Sequence, residues 1–187
     1  MTLRSLPNFL TFCRLFSAPV VVWLIIEPMP SAAFWLFVAT ALTDIVDGRL
    51  AKYLNAQTAF GALLDPLADK ALVIGAYVSL GFLGQLPNWL VIMVVFRDIL
   101  IIGGVITHQL VAGDIGIGVK PLGVSKLNTA AQAVLASVVL AGPGLGLDVK
   151  AAVGMMIVIV ATTVLSSGAA YLLVWWRAAS PMMGGRL

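Results

Sequence analysis

Six apolar runs, each about twenty residues long, follow one another along this chain near 10–27, 31–54, 61–83, 87–108, 124–144 and 150–176. A helix needs about 20 mostly apolar residues to cross roughly 30 Å of hydrocarbon. Six such runs in 187 residues leave almost nothing for a soluble domain, and a chain 61% hydrophobic and only 10% charged has a membrane protein's balance. The expected fold is therefore an all-α integral membrane protein. One domain covers 1–187, with six transmembrane helices in one bundle, a short interfacial segment at 1–9 and a C-terminal tail at 178–187.

The net charge of +3 does not point to nucleic acid, because the basic residues are spread one or two per break rather than clustered. Arg4, Arg14, Arg49, Lys52, Lys120, Lys126, Arg177 and Arg186 fall at the ends that an even number of spans places on one side, and Lys150 stands almost alone on the other. The positive-inside rule makes both termini cytoplasmic and turns the Glu27-Pro28-Met29-Pro30 break outward. A bacterial inner membrane is the expected location. Arg14 interrupts the first apolar stretch, which therefore reads as a mature span rather than a cleaved signal. Trp175 and Trp176 before Arg177 read as an interfacial anchor.

Against this background the stretch DIVDGRLAKYLNAQTAFGALLDPLADK, residues 44–70, is unusual: it holds Asp44, Asp47, Asp65 and Asp69, four of the chain's eight acidic residues. A carboxylate in hydrocarbon needs a polar cavity and a compensating charge. Spacings of three and four put each pair on one helical face, and a turn around Asn55 to Gly61 would bring the two pairs together near the cytoplasmic ends of antiparallel helices. Four converging carboxylates repel one another unless cations lie between them, and all-oxygen ligation suits Mg²⁺ or Mn²⁺. Two such ions about 3.5–4 Å apart clamp a phosphoryl group during in-line displacement. The competing readings are solvated helix ends and a cation transporter. The first leaves two carboxylate pairs on adjoining helices unexplained; the second lacks an inverted repeat or a broken helix.

Written as a pattern, residues 44–69 are DxxDGxxAK, eight residues, then GxxxDxxxD, which closely resembles the DxxDGxxAR and GxxxDxxxD signature of the CDP-alcohol phosphotransferases. The resemblance extends over essentially the whole chain. It implies a six-helix homodimeric membrane enzyme that takes a CDP-linked lipid and a hydroxyl acceptor and releases CMP. It further implies two divalent ions, Mg²⁺ or Mn²⁺, the first held by Asp44, Asp47 and Asp65, the second by Asp65 and Asp69. Asp69 would be the general base. Gly48, Ala51, Lys52 and Gly61 would meet the nucleotide of CDP-diacylglycerol. Lys52 stands where the family usually has arginine, which keeps the charge and loses the planar fork. Membrane prenyltransferases also bind pyrophosphate through aspartates, but the later acids Asp98, Asp114 and Asp148 form no second motif.

LPNFLTFCR at 6–14 and LDPLADK at 64–70 are similar to the phosphatidyl-transferring members. Phe96-Arg97-Asp98 and KPLGVSKLNTAAQ from Lys120 look more like the eukaryotic-type cardiolipin synthases than the phosphatidylglycerophosphate synthases. The implied acceptor is phosphatidylglycerol, the alternative glycerol 3-phosphate. Arg97, Lys126 and Lys120 are the candidates for the acceptor's phosphate. Arg97, inside a span, needs an anion, either that phosphate or an aspartate such as Asp98. Of the remaining features, Cys13 reads as a small buried residue, Gly142-Pro143-Gly144 as a loop, and Gly75 and Gly81 as sites of close helix packing.

Overall fold

The computed structural model describes the backbone of residues 6–54, 59–112 and 123–183, and the side chains of 12–43, 68, 70–103 and 123–173. Its six helices are α1 (Leu6–Ile26), α2 (Pro30–Leu54), α3 (Ala59–Phe82), α4 (Asn88–Ala112), α5 (Gly123–Leu145) and α6 (Lys150–Met183), with no strand among the described residues. Each covers one of the six apolar runs.

The helix ends differ from expectation in three places. Gly61 lies inside α3, so the connection from α2 is only residues 55–58. Residues 142–144 form the last turn of α5 rather than a loop. The proline at 143 removes one helical N–H, but the carbonyls of that turn have other donors. Leu147 N–H donates to the Gly142 carbonyl at 3.1 Å, and the Ser31 hydroxyl donates to the Gly144 carbonyl at 2.6 Å. The chain then leaves through Gly146 at φ 67°, a left-handed cap that a side chain would strain. α3 ends the same way: Gly84 has φ 70°, and Gln85 N–H reaches back to the Leu80 carbonyl at 2.9 Å. Third, α6 runs on to Met183 and takes in most of the expected tail.

Each helix buries one file of residues at spacings of three and four. On α1 it is Arg14, Ala18, Val21 and Ile25; on α6 it is Val160, Val164, Ser167 and Tyr171. These files meet around Phe37, Tyr77, Leu80, Leu90 and Leu135. α1 packs on α2 and α3, α2 on α5, α5 on α6, and α4 on α3 and α6. Cys13 faces outward, contrary to expectation, because the inward file of α1 passes through Arg14 and leaves Phe12, Cys13 and Phe16 on the outer side.

The outer faces are as apolar as the core. Phe16 is 71% exposed, Ile92 67%, Phe96 65% and Trp35 61%, so large apolar side chains face outward on three helices. Among the described residues, α5 and the 150–173 part of α6 are long and apolar enough to cross a membrane; 12–26, 30–43 and 70–82 are shorter apolar helical stretches.

Close approach fixes the register of neighbouring helices. A Cβ at Gly75 on α3 would lie 2.8 Å from Val22 Cγ2 on α1, and one at Gly81 would lie 2.8 Å from Val91 Cγ2 on α4. Gly75→Leu should therefore overpack the α1–α3 contact, costing about 1–3 kcal/mol. Thermal unfolding in detergent checks this: the midpoint should drop, and adding Val22→Ala to the same chain should recover part of the loss.

Candidate active site: a buried charge cluster beside a cavity with a basic mouth

Arg97 and Asp98 directly follow the outward Phe96 on α4 and turn to the inner side of the helix, where both are buried, at 4% and 0% exposure. Asp98 Oδ1 accepts from Arg97 Nη1 at 2.7 Å, and Lys70 Nζ on α3 lies 2.5 Å from Asp98 Oδ2. The rest of the Arg97 fork is spread over two further helices: Nη2 donates to Ser125 Oγ on α5 at 2.6 Å, and both Nε and Nη2 donate to Ser167 Oγ on α6. One carboxylate thus gathers α3 and α4 directly, and α5 and α6 through the guanidinium. A planar fork with five donors is the side chain that can serve three partners at once.

Further along the inner face of α5, Thr163 Oγ1 donates to Asn128 Oδ1 at 2.9 Å and the Tyr77 hydroxyl donates to the Gln132 carbonyl at 3.1 Å. Asn128 and Gln132 are fully buried, and both ends of the Gln132 amide lack a hydrogen-bond partner among the described residues.

The opposite face of α5 lines a cavity of about 600 Å³ between α1, α2, α3 and α5. This falls within the usual size of ligand pockets, roughly 300–1,000 Å³. Its polar end holds Arg14, Ser125 and Lys126; its other end is Phe37, Val38, Val134 and Val138. The hydroxyls along its walls are turned back onto their own helices, Thr40 to the Leu36 carbonyl, Thr129 to Ser125 and Ser137 to Ala133. The walls are therefore apolar in effect, with the cationic groups gathered at one end.

The helix register relates this cavity to the four aspartates, whose side chains lie outside the described residues. Ser31 on α2 meets Gly144 on α5, so the two helices run antiparallel. Counted at the ideal helical rise from that contact, the Asp47 position falls near the level of Asn128 and the Asp44 position near that of Ala131. α1 and α3 run parallel with Val22 beside Gly75, which sets Arg14 level with the turn between Asp65 and Asp69. Spacing also places positions 37, 40, 44 and 47 in one file of α2, and 65, 69, 72 and 73 in one file of α3. Phe37, Thr40, Leu72 and Val73 of these files line the cavity.

Of the expected site residues, the structure brings Lys126 to the cavity mouth and buries Arg97 on Asp98, Ser125 and Ser167. Gly48, Ala51 and Lys52 belong to α2 and Gly61 to α3, with side-chain surroundings outside the described residues; Lys120 lies outside them altogether. Lys70, Ser125 and Ser167 were not singled out from sequence. Ser125 stood inside the KPLGVSKLNTAAQ motif, whereas Lys70 and Ser167 carry no local signal of a partner 28 and 70 residues away.

Removing one partner of a buried ion pair leaves an uncompensated charge and costs about 3–5 kcal/mol. Arg97→Met should lower the thermal midpoint accordingly. Arg97→Lys should recover only part of the loss, since an ammonium reaches Asp98 without spanning to both serines. Circular dichroism melts of the detergent-solubilised variants measure both, and an unchanged midpoint in Arg97→Met would refute the structural role of the network.

Comparison with known proteins places the site in context. Residues 4–178 match the family model of the CDP-alcohol phosphatidyltransferases. A human cardiolipin synthase (CMP-forming) is 36% identical over 153 residues, 74% of this chain and 51% of that protein. A CDP-diacylglycerol–glycerol-3-phosphate 3-phosphatidyltransferase of Cereibacter sphaeroides is 36% identical over 149 residues, 75% of this chain and 65% of that protein. A chloroplastic protein of the latter name from Oryza sativa subsp. japonica is 32% identical over 161 residues, 77% of this chain. The chain spans about half the length of the human and rice relatives it matches. With a match over nearly its full length, the chain belongs to the CDP-alcohol phosphatidyltransferase family.

Proposed function

We propose that this protein transfers a phosphatidyl group from CDP-diacylglycerol to the head-group hydroxyl of phosphatidylglycerol, forming cardiolipin and releasing CMP. The observation that carries this reading is the cavity: cationic at one end, apolar along its length, and lined by the two helix files that continue into Asp44, Asp47, Asp65 and Asp69. A lipid phosphate with its acyl chain has the same layout. Cardiolipin is chosen as product because the Phe96-Arg97-Asp98 and KPLGVSKLNTAAQ segments resemble those synthases and the human relative carries that name. All six helices span the membrane in this reading, the site opens to the cytoplasm with both termini, and the working unit is a homodimer.

The four aspartates fit a pair of hard divalent ions by the chemistry of the donor set: carboxylate oxygens only, at i, i+3 and i, i+4 spacing, on two helices joined by residues 55–58. Asp44, Asp47 and Asp65 would hold the first ion, Asp65 and Asp69 the second. Such ions supply charge neutralisation for the pyrophosphate and for the departing phosphate. The chain's own residues do the rest. Lys52, near the C-terminal end of α2, meets the nucleotide phosphate as a point charge, and Gly48, Ala51 and Gly61 let the nucleotide approach the helices closely. Lys126 attracts the acceptor's phosphate at the cavity mouth, held in place by the Arg97–Ser125 bond beside it. Lys120 would add charge on the same side. Asp69 takes the proton of the acceptor hydroxyl as its oxygen bonds to the phosphorus bearing diacylglycerol, and the bond from that phosphorus to the CMP oxygen breaks.

Glycerol 3-phosphate is the second acceptor to consider, because the Cereibacter sphaeroides relative named for that transfer matches this chain at the same 36% identity as the human cardiolipin synthase. Product analysis decides between them. Purified protein with CDP-diacylglycerol, Mn²⁺ and phosphatidylglycerol should give cardiolipin and CMP by mass spectrometry; phosphatidylglycerophosphate formed with glycerol 3-phosphate instead would move the assignment. Asp65→Asn should abolish CMP release in folded protein, and full activity there would remove the two-ion mechanism. Val138→Trp, which fills the apolar end of the cavity away from the aspartates, should raise the apparent KM for lipid substrate roughly tenfold or more, as lost binding without lost chemistry does.

A further inference from the structure

Asp98 is a buried carboxylate that the mechanism above does not use. Together with its partners Lys70 and Arg97 it stands outside the cavity wall, so none of the three touches a molecule bound there. Its two oxygens are divided between helices: Oδ1 to Arg97 on its own helix, Oδ2 to Lys70 on α3. Lys70 directly follows Asp69 and lies five residues after Asp65. On a helix, the direction of one side chain fixes that of its neighbours, since successive residues are about 100° apart. Whatever holds Lys70 on Asp98 therefore holds the rotation of α3 at the turn that carries Asp65 and Asp69.

The other branch of the cluster has the same character. Arg97 Nη2 donates to Ser125, the residue before Lys126, and Ser125 itself lines the cavity. One carboxylate thus sets the rotation of α3 next to the aspartates and the seating of the first turn of α5. Stability alone is a poor reason for such a device, because well-packed apolar residues often serve as well or better at a buried ion pair; its specific product is registry.

We infer that Asp98, acting through Lys70, is a positioning residue for the aspartate site, holding the α3 carboxylates in the rotation that the divalent ions and the acceptor hydroxyl require. This rests on the function proposed above. Asp98 makes no contact with substrate, so its loss lowers turnover and metal affinity while leaving lipid binding in place.

The experiment uses the full chain in lipid nanodiscs and three readouts: Mn²⁺ affinity by electron paramagnetic resonance, kcat and KM for CDP-diacylglycerol from CMP release, and the thermal midpoint. Lys70→Met is the central variant, because Asp98 keeps Arg97 as its counter-ion and the fold keeps its buried charge balance. Asp98→Asn removes the other end of the same tie, and Lys70→Arg preserves it. Lys70→Met and Asp98→Asn should each lower kcat roughly tenfold or more and weaken Mn²⁺ binding several-fold, with KM changed less than about twofold; the double variant should be no worse than the worse single, as expected for two residues acting as one unit. Lys70→Arg should recover most of both losses.

The inference is overturned if folded Lys70→Met keeps wild-type kcat and Mn²⁺ affinity, or if the double variant loses the product of the single effects. It is also overturned if the whole effect falls on the KM for CDP-diacylglycerol. A wild-type chain that neither binds Mn²⁺ nor releases CMP would instead overturn the functional reading beneath it, and the wild-type control separates the two failures.

Discussion

An ionised carboxylate with no exposed surface, inside a bundle that is apolar within and without, has to be compensated on the spot. Asp98 is compensated twice, by Arg97 and Lys70. The low dielectric that makes an unpaired charge so costly there also strengthens each contact once made. The remaining packing is apolar side chains in files, with glycine at the tightest approaches. The charge cluster supplies directional contacts joining four helices, α3 to α6, while apolar packing and close approach hold α1 against α3 and the Ser31–Gly144 bond ties α2 to α5.

The polar groups are not spread evenly along the bundle. Arg14, Lys70, Arg97, Asp98, Ser125 and Lys126 lie toward the end where α2 passes to α3, the end that also bears the aspartate positions. The far end is closed by left-handed glycine caps at Gly84 and Gly146 and by apolar contacts. In the proposed reaction this confines substrate charge to one end and leaves the length of the cavity away from it for hydrocarbon. A phosphate drawn to Arg14 and Lys126 finds the carboxylate helices within a turn or two of the same level.

The sequence conveyed the number of helices well, because each helix carries a long apolar run and each break carries polar or helix-ending residues; it conveyed three of the helix limits less well. The aspartates stand out in it for the same reason, since a charge inside such a run has to be explained; their side chains lie outside the described residues. Other features were hidden for equally physical reasons. Residues 142–144 contain the usual turn residues, yet they remain helical because Ser31 and Leu147, distant and adjacent, satisfy the final carbonyls. Cys13 faces outward because the neighbouring Arg14 takes the inward position, and in an all-apolar helix composition does not say which face is inside. Asp98 could be proposed for Arg97 as its immediate neighbour, but Lys70 could not be assigned to Asp98 without knowing that α3 and α4 pack together.

The KPLGVSKLNTAAQ segment shows how one helix writes two functions into one string. Lys126, Thr129, Ala130 and Ala133 turn to the cavity, while Asn128 and Gln132, displaced by about a quarter to half a turn, face Thr163 and Tyr77 in the interior. A shift of the pattern by one residue would put amides against lipid and methyl groups against the charge cluster. Ser125 sits where the two faces meet, lining the cavity and accepting the Arg97 guanidinium. The motif is therefore the imprint of a helix with one face on the cavity and the other on Thr163 and Tyr77, tied to the network centred on Asp98 through Ser125. Through Ser125, what seats the inner face also seats the mouth of the cavity.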